Sequence, residues 1–473
     1  MDFRACLWTA AALPLGLLAG GCGHPSDTDA VAPATGGAGP DGAGFIVDVT
    51  RSSVIATVGI VTWSLDQPIE SAEVHFGRDP AALEYTAPVD LAEEHYRTVL
   101  VGMKQETAYT LRIEAHGSNG QTYVSDDVSF ETGLLPNGLP PRTVNDVDRE
   151  KVYDGFTITC NGYGNARNLD PNAETCWALI LDRDGDYVWA YDLLDSPVYG
   201  CSRARMSADG RSMWAGNGST MRATGALLQI SMDGLTVRDY SLPARHHDFT
   251  VLPSGHILYF EQQNGGGFFD DTEGPDSVME LDPETGQSSL VYDETQDLAD
   301  IIASVGGSHT NSITYAPRLD AFSFSLLYAD MIALVSYPDA RLLGIFGGPS
   351  DQFGVSWNSQ HGHQFVGDDT LLVFNNWSDQ GASAMLEFTY DLEQKTATPI
   401  HSYHPAEGFG TIAFGGVQRL PNGNSVVTFS SNGVIHEIDP DRNLVRETVI
   451  GDPIGYSTKR ATLYGPPPHL AAD

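Results

Sequence analysis

His246-His247-Asp248-Phe249-Thr250-Val251-Leu252-Pro253-Ser254-Gly255-His256-Ile257-Leu258-Tyr259-Phe260 is the stretch whose reading decides the fold. A pair of histidines heads an alternating strand, a Pro-Ser-Gly turn follows, and an apolar strand returns. Two other stretches open in the same way. One is His309-Thr310-Asn311-Ser312-Ile313, which leads to the Phe322-Ser323-Phe324 strand. The other is Gln360-His361-Gly362-His363-Gln364-Phe365, which turns at Gly367-Asp368-Asp369 and returns as Thr370 to Phe374. His247, His309 and His361 stand 62 and 52 residues apart. A histidine at one position of successive repeat units implies side chains meeting on one axis. The innermost strands of a β-propeller, which line a central channel, do this.

The same punctuation runs outward along the chain. Ala178 to Leu181, the turn Asp182-Arg183-Asp184-Gly185-Asp186, and Tyr187 to Trp189 make one hairpin. Ala208-Asp209-Gly210, Met232-Asp233-Gly234, Pro283-Glu284-Thr285-Gly286 and Pro421-Asn422-Gly423 are further turns of the kind. Residues 143–473 therefore read as one propeller domain with strands to about residue 465. At about 45–55 residues per blade, about six blades are expected. Asp182-x-Asp184-x-Asp186 resembles a calcium loop only loosely. It lacks the glutamate at the far end and occupies a hairpin turn, so the turn is the reading. No metal site and no cofactor are expected.

Residues 45–133 alternate as about seven short strands, which suggests a β-sandwich. The Trp63 strand, Tyr109-x-Leu111-Arg112-Ile113 and the Phe130-x-Thr132 ending resemble a fibronectin type III domain. A Pro/Gly-rich linker, Leu134 to Arg142, follows. The fold class is all-β: an N-terminal fibronectin III-like β-sandwich, then a six-bladed β-propeller.

Residues 1–22 look like an export signal. Arg4 precedes a short apolar core from Leu7 to Leu18, too short for a comfortable membrane span. Leu18-Ala19-Gly20-Gly21-Cys22 resembles a bacterial lipobox, which would make Cys22 a lipidated N-terminus; an ordinary cleaved signal is the alternative. Residues 23–44 are rich in Gly, Ala, Pro and Asp and read as a flexible tether. The expected location is the bacterial envelope, lipid-anchored, facing the periplasm or the cell surface. Export permits disulfides. Cys160 and Cys176 flank a Gly/Asn-rich loop and are the expected pair, with pairing through Cys201 an alternative.

The 473 residues carry 25 basic and 62 acidic side chains, a formal net charge of −37. The acids are scattered, which reads as a solvated surface. This balance excludes nucleic acid as a partner, and an anionic substrate would need local cations.

The ordered set His246-His247-Asp248-Phe249, His309-Thr310-Asn311-Ser312-Ile313, Gly347-Gly348-Pro349 and Gln360-His361-Gly362-His363 resembles the bacterial arylsulfate sulfotransferase family, the type independent of a nucleotide donor. The resemblance covers about residues 145–465. It implies ping-pong sulfuryl transfer between small aromatic sulfates and phenols. His361 matches the nucleophile, and His247, His309 and Asn311 match positions that stabilise charge or move protons. His246, Arg245 and His363 are candidate substrate-binding residues. Two departures stand out. The family's arginine falls near Leu327, with no Arg or Lys between Arg318 and Arg341, and Gly362 replaces an aspartate. Arg245, Arg203 or Arg205 could substitute from another strand. A non-catalytic propeller that binds a ligand or protein partner through the same channel is the competing reading. Trp377, Gly265 to Phe269 and Phe409 to Phe414 are candidates for an aromatic rim.

Overall fold

The computed structural model describes residues 44–465 except 162–174, 195, 197–199, 218–224, 243, 264–273 and 379–380. Cys22 with the expected export segment, the expected tether up to residue 43 and the stretch from Gly265 to Phe269 lie outside the described residues. Among the described residues the regular structure is mainly antiparallel strand, with one seven-residue α-helix, Ala299–Val305.

The N-terminal part is two sheets. Phe45–Arg51, Gly59–Leu65 and Thr98–Leu100 form one; Ile69–Gly77, Tyr85–Pro88, Ala108–Gly117, Thr122–Val124 and Val128–Glu131 form the other. Gly59–Leu65 and Ala108–Gly117 bury alternate residues, so each sheet turns one face inward. Val61, Trp63, Val74, Phe76, Leu111 and Ile113 meet there in one core.

Six successive antiparallel sheets follow among the described residues. Cys201–Met206, Arg245–Val251, Thr310–Ala316, His363–Val366 and Gly416–Arg419 each lead one of them, and each sheet then continues outward through hairpins. Leading strands of neighbouring sheets touch. The first sheet of the ring borrows its inner strand from the far end of the chain: Thr458–Arg460 pairs with Phe156–Cys160. The last sheet borrows its outermost strand, Arg142–Asp146, from the start of the ring. The Gln418 amide exchanges two hydrogen bonds with the Lys459 backbone, at 2.8 and 2.6 Å, joining last sheet to first. Closure of this kind leaves only short outer edges. The molecule is all-β and propeller-like.

The sandwich docks on the first two sheets of the ring. Ile55 and Val58 pack in one cluster with Trp189 and Met232. Arg97 pairs with Asp233, and the Thr57 hydroxyl donates to the Val188 carbonyl at 2.8 Å. The acidic turn belongs to this joint. Asp182 Oδ1 accepts the Asp184 and Asp186 amides, and Lys104 Nζ from the sandwich sits among the three carboxylates at 3.2, 2.7 and 2.7 Å. The ammonium occupies the place a cation would take. Burial opposes the lysine charge, but Asp184 and Asp186 outweigh it and hold Lys104 above its ordinary range.

The expected Cys160–Cys176 bridge is not formed. Cys160 pairs with Cys201, Cα atoms 5.9 Å apart, and Cys176 is a buried free thiol. Cys160 stands opposite Ala178 in the ladder, which leaves Cys176 two residues out of register. Cys160 instead meets the leading strand of the next sheet. Burial pushes the Cys176 thiol up to about 11, so it is inert.

Candidate functional site

Each histidine is placed by a local break in the inner strand that carries it. The ladder slips between His246 and Phe249, and His247 has φ 49°. It slips again between Thr310 and Ser312, just after His309 at φ 46°. Ser359, two residues before His361, has φ 56°. Left-handed backbone costs a non-glycine residue about 1 kcal/mol, and a bulge re-aims the side chain beside it. Small polar side chains then fasten each break to the next sheet. Ser202 Oγ donates to the His247 carbonyl at 2.7 Å, and Ser312 Oγ donates to the His361 carbonyl at 3.0 Å. Asn311 Nδ2 donates to the Gln360 carbonyl at 2.9 Å. The buried Gln360 amide donates to Ser325 Oγ, the Leu326 carbonyl and the Met331 carbonyl, at 2.8 to 3.1 Å.

The result is a buried cluster at one mouth of the channel. The His247 and His309 rings lie 5.0 Å apart, and His361 is close enough for its charge to bear on His247. The Tyr328 ring, one residue past Leu327, lies 4.9 Å from His309, and Phe414 meets His361 edge-on at 6.2 Å. His361 Nδ1 stands 2.9 Å from Asn376 Oδ1. The Asn376 Nδ2 group donates to the Thr411 and Phe414 carbonyls at 2.8 and 2.9 Å. Two carbonyl acceptors fix which end of the amide is NH2, so Oδ1 must receive the Nδ1 proton of His361. Nε2 of His361 then carries a lone pair. Burial lowers the His361 pKa to about 4, with the Asn376 bond opposing it and the neighbouring His309 adding to it. The ring is neutral at pH 7.

His247 is held by a relay. Its Nδ1 lies 2.8 Å from His246 Nδ1, and His246 Nε2 lies 3.0 Å from Asp276 Oδ1. The carboxylate requires a proton on His246 Nε2, which makes His246 Nδ1 the acceptor from His247 and leaves Nε2 of His247 with its lone pair. Burial, then the charges of His309 and His246, hold His247 well below the ordinary histidine range.

Below the cluster the channel is plugged. Arg203 binds Asp248 in a two-pronged pair at 2.8 Å, and Asp248 also accepts the Phe249 and Ile313 amides. Burial raises the Asp248 carboxyl, but Arg203 outweighs it and holds it below the usual range. The Arg203 guanidinium stacks 3.9 Å over Tyr456, whose hydroxyl reaches across to the Asn311 carbonyl at 2.9 Å.

The structure thus brings together His247, His309, His361 and His246, with Asn311 bracing the segment that carries His361. It places the other candidates elsewhere. His363 is held between Ser312 and Ser323 at 3.1 and 2.8 Å and faces the far mouth. Arg245 packs on Phe249 at 5.3 Å, with Nη1 3.5 Å from the Ala226 carbonyl. Arg205 lies 4.0 Å from Asp248, on the far side. Phe409 packs tilted against Phe429 and edge-on against His436, in the core of the last sheet's cluster. A side chain at Gly362 would meet the Gly415 carbonyl and the Gly416 Cα at 2.8 Å, so an aspartate has no room here. Asn376, Tyr328 and Asp276 escaped sequence reasoning. Asn376 is a polar residue ending an apolar strand, a weak signal that follows His361 by 15 residues.

Comparison with known proteins bears on the same region. Residues 229–451 match the family described as arylsulfotransferase (ASST). No curated protein matches the chain. Among solved structures, a protein of unknown function from Bacteroides caccae aligns at 14% identity, over 64% of this chain and 98% of that one, with TM-score 0.43. A virginiamycin B lyase from Staphylococcus aureus aligns at 12% identity, over 66% and 98%, with TM-score 0.39. An auxiliary nutrient binding protein from Bacteroides thetaiotaomicron aligns at 11%, over 86% and 97%, with TM-score 0.37. Likeness at this level carries no argument about chemistry. The sequence match over 229–451 does, and it supports the arylsulfotransferase family for that part of the chain.

Proposed function

We propose that this chain is an exported sulfotransferase that moves a sulfuryl group from an aryl sulfate to a phenol through a sulfohistidine at His361. In this reading it is a six-bladed propeller with a fibronectin III-like sandwich, anchored in the envelope through lipid on Cys22. The observation that carries the reading is the Asn376 clamp, which leaves Nε2 of a neutral His361 as a free nucleophile at the histidine mouth.

The chemistry balances with the side chains present. Nε2 of His361 forms a bond to sulfur as the bond from sulfur to the aryl oxygen breaks. The aryl oxygen leaves as the phenolate. An incoming phenol gives its proton to the Nε2 lone pair of His247, its oxygen attacks sulfur, the N–S bond breaks, and His247 passes the proton to solvent. Charge spreads over the sulfonyl oxygens in both steps and needs donors already in place. The relay from Asp276 through His246 suits His247 for the proton. Tyr328, beside the position where the family has an arginine, is the donor we assign to the oxygens. Mixing the purified protein with a chromogenic aryl sulfate tests the reading: phenolate release that depends on His361 supports it, and no release across donors and pH refutes it.

The second reading is a propeller that binds a ligand or partner through this mouth without chemistry. Leu327 favours it, because a leucine supplies no donor to a sulfonyl oxygen.

A further inference from the structure

The other mouth of the channel holds a cavity of about 710 Å³, formed by the later halves of the same inner strands. Thr250 lines it, three residues beyond His247, and Thr314 lines it, five beyond His309. At about 3.3 Å per residue, this puts it roughly 10 to 17 Å from the histidines. The buried layer of Arg203, Asp248, Tyr456 and Asn311 lies between.

Its charge contradicts the rest of the molecule. Arg203, Arg205, Arg318, Arg419, Lys459 and Arg460 line it, and Asp320 is the one acid among its lining residues. The whole chain has 25 basic and 62 acidic residues. About a quarter of the bases therefore face one cavity, with almost none of the acids. Internal pairing does not cancel them. Asp248 is shared by Arg203 at 2.8 Å and Arg205 at 4.0 Å. Glu387 is shared by Arg419 at 2.7 Å and Arg442 at 2.5 Å. Arg460 is bonded to the Thr462 and Gly465 carbonyls. Lys459 pairs with Glu437 at 2.6 Å. The excess is positive, and Arg205 is its centre: its Nε is buried without a hydrogen-bond acceptor. Burial and the charge of Arg203 press Arg205 down to about 9, which leaves it charged at neutral pH.

An excess of guanidinium charge in a walled cavity is matched by an oxyanion, whose planar edges the guanidinium fork fits. The volume exceeds what one small ion fills and suits a ligand with an organic body. Tyr153 and Tyr315 add aromatic surface to the wall.

We propose that this far cavity is a second, separate anion site, binding a sulfate, sulfonate or phosphate group through Arg205. It holds whether or not His361 performs sulfuryl transfer.

Equilibrium dialysis with labelled inorganic sulfate at low ionic strength tests it on the purified full chain. Wild type and His361→Ala should bind alike. Arg205→Gln should bind at least about tenfold more weakly, and Arg205→Lys should recover part of the loss. Thr314→Glu, which sets a carboxylate into the cavity, should also abolish binding and covers the case in which Arg205→Gln does not fold. Displacement by benzenesulfonate, whose C–S bond cannot be transferred, separates the sources. Tighter binding than sulfate identifies an organic anion as ligand, and equal or weaker binding identifies a free oxyanion. No sulfate uptake by wild type overturns the proposal. So does unchanged binding in both Arg205→Gln and Thr314→Glu, or loss of binding in His361→Ala.

Discussion

The two mouths of the channel are built from the same inner strands, yet they are chemical opposites. At the strand starts, bulges and left-handed residues turn neutral histidines inward, and burial keeps them neutral. Toward the strand ends the ladders are regular and guanidinium groups gather around a cavity. The difference teaches where each kind of chemistry is affordable. A nucleophile must be uncharged and held in one tautomer, so it sits in a dry, over-braced place. An anion holder keeps its charge, so it sits where a wide cavity admits solvent.

The largest expected effect separates the mouths outright. His361→Ala should lower phenolate release by at least about 10⁴-fold, as loss of a nucleophile does, while sulfate uptake at the far cavity persists. Next comes the disulfide that ties the first sheet to the second beside Ser202. Closing 41 residues, it stabilises by about 4 kcal/mol on chain-entropy grounds. Cys201→Ser should cut stability to denaturant by an amount of that order.

Acid acts on the buried histidines of both mouths. Burial lowers His361 and His363 to about 4 and His247 well below its ordinary value. The unfolded chain therefore binds more protons than the folded one between about pH 6.5 and 4. Stability should fall as pH drops through that window, by a few kcal/mol in all. Arg205 is not among the groups that shift these histidines, so Arg205→Gln should leave the slope of the unfolding curve against pH unaltered.

Smaller effects sharpen the roles at the histidine mouth. Asn376→Leu should reduce kcat roughly a hundredfold by freeing the tautomer. Asn376→Asp should instead raise the His361 pKa and move the acid limb of the pH–rate profile upward from about pH 4. Tyr328→Phe should cost about tenfold in kcat if its hydroxyl meets a sulfonyl oxygen; an unchanged kcat would remove it from the mechanism.

Much of this organisation was legible in the sequence. The Asp-Gly and Asn-Gly turns marked the hairpins, because those turns need the residues that tolerate left-handed backbone. The repeated histidine starts marked the axis. The long-range partners were not legible. Asn376 meets His361 only because a strand folds back on it, and Cys160 finds Cys201 across two sheets where spacing favoured Cys176. The cationic cavity draws its arginines from several sheets, so no run of sequence carries its signature.

The most direct test of the central claim is intact-mass analysis of the protein after brief exposure to an aryl sulfate without acceptor, with peptide mapping. A sulfonyl adduct on His361, released when a phenol is added, is the predicted result. Phenolate release with the adduct on another residue, or no adduct and no release, would contradict it.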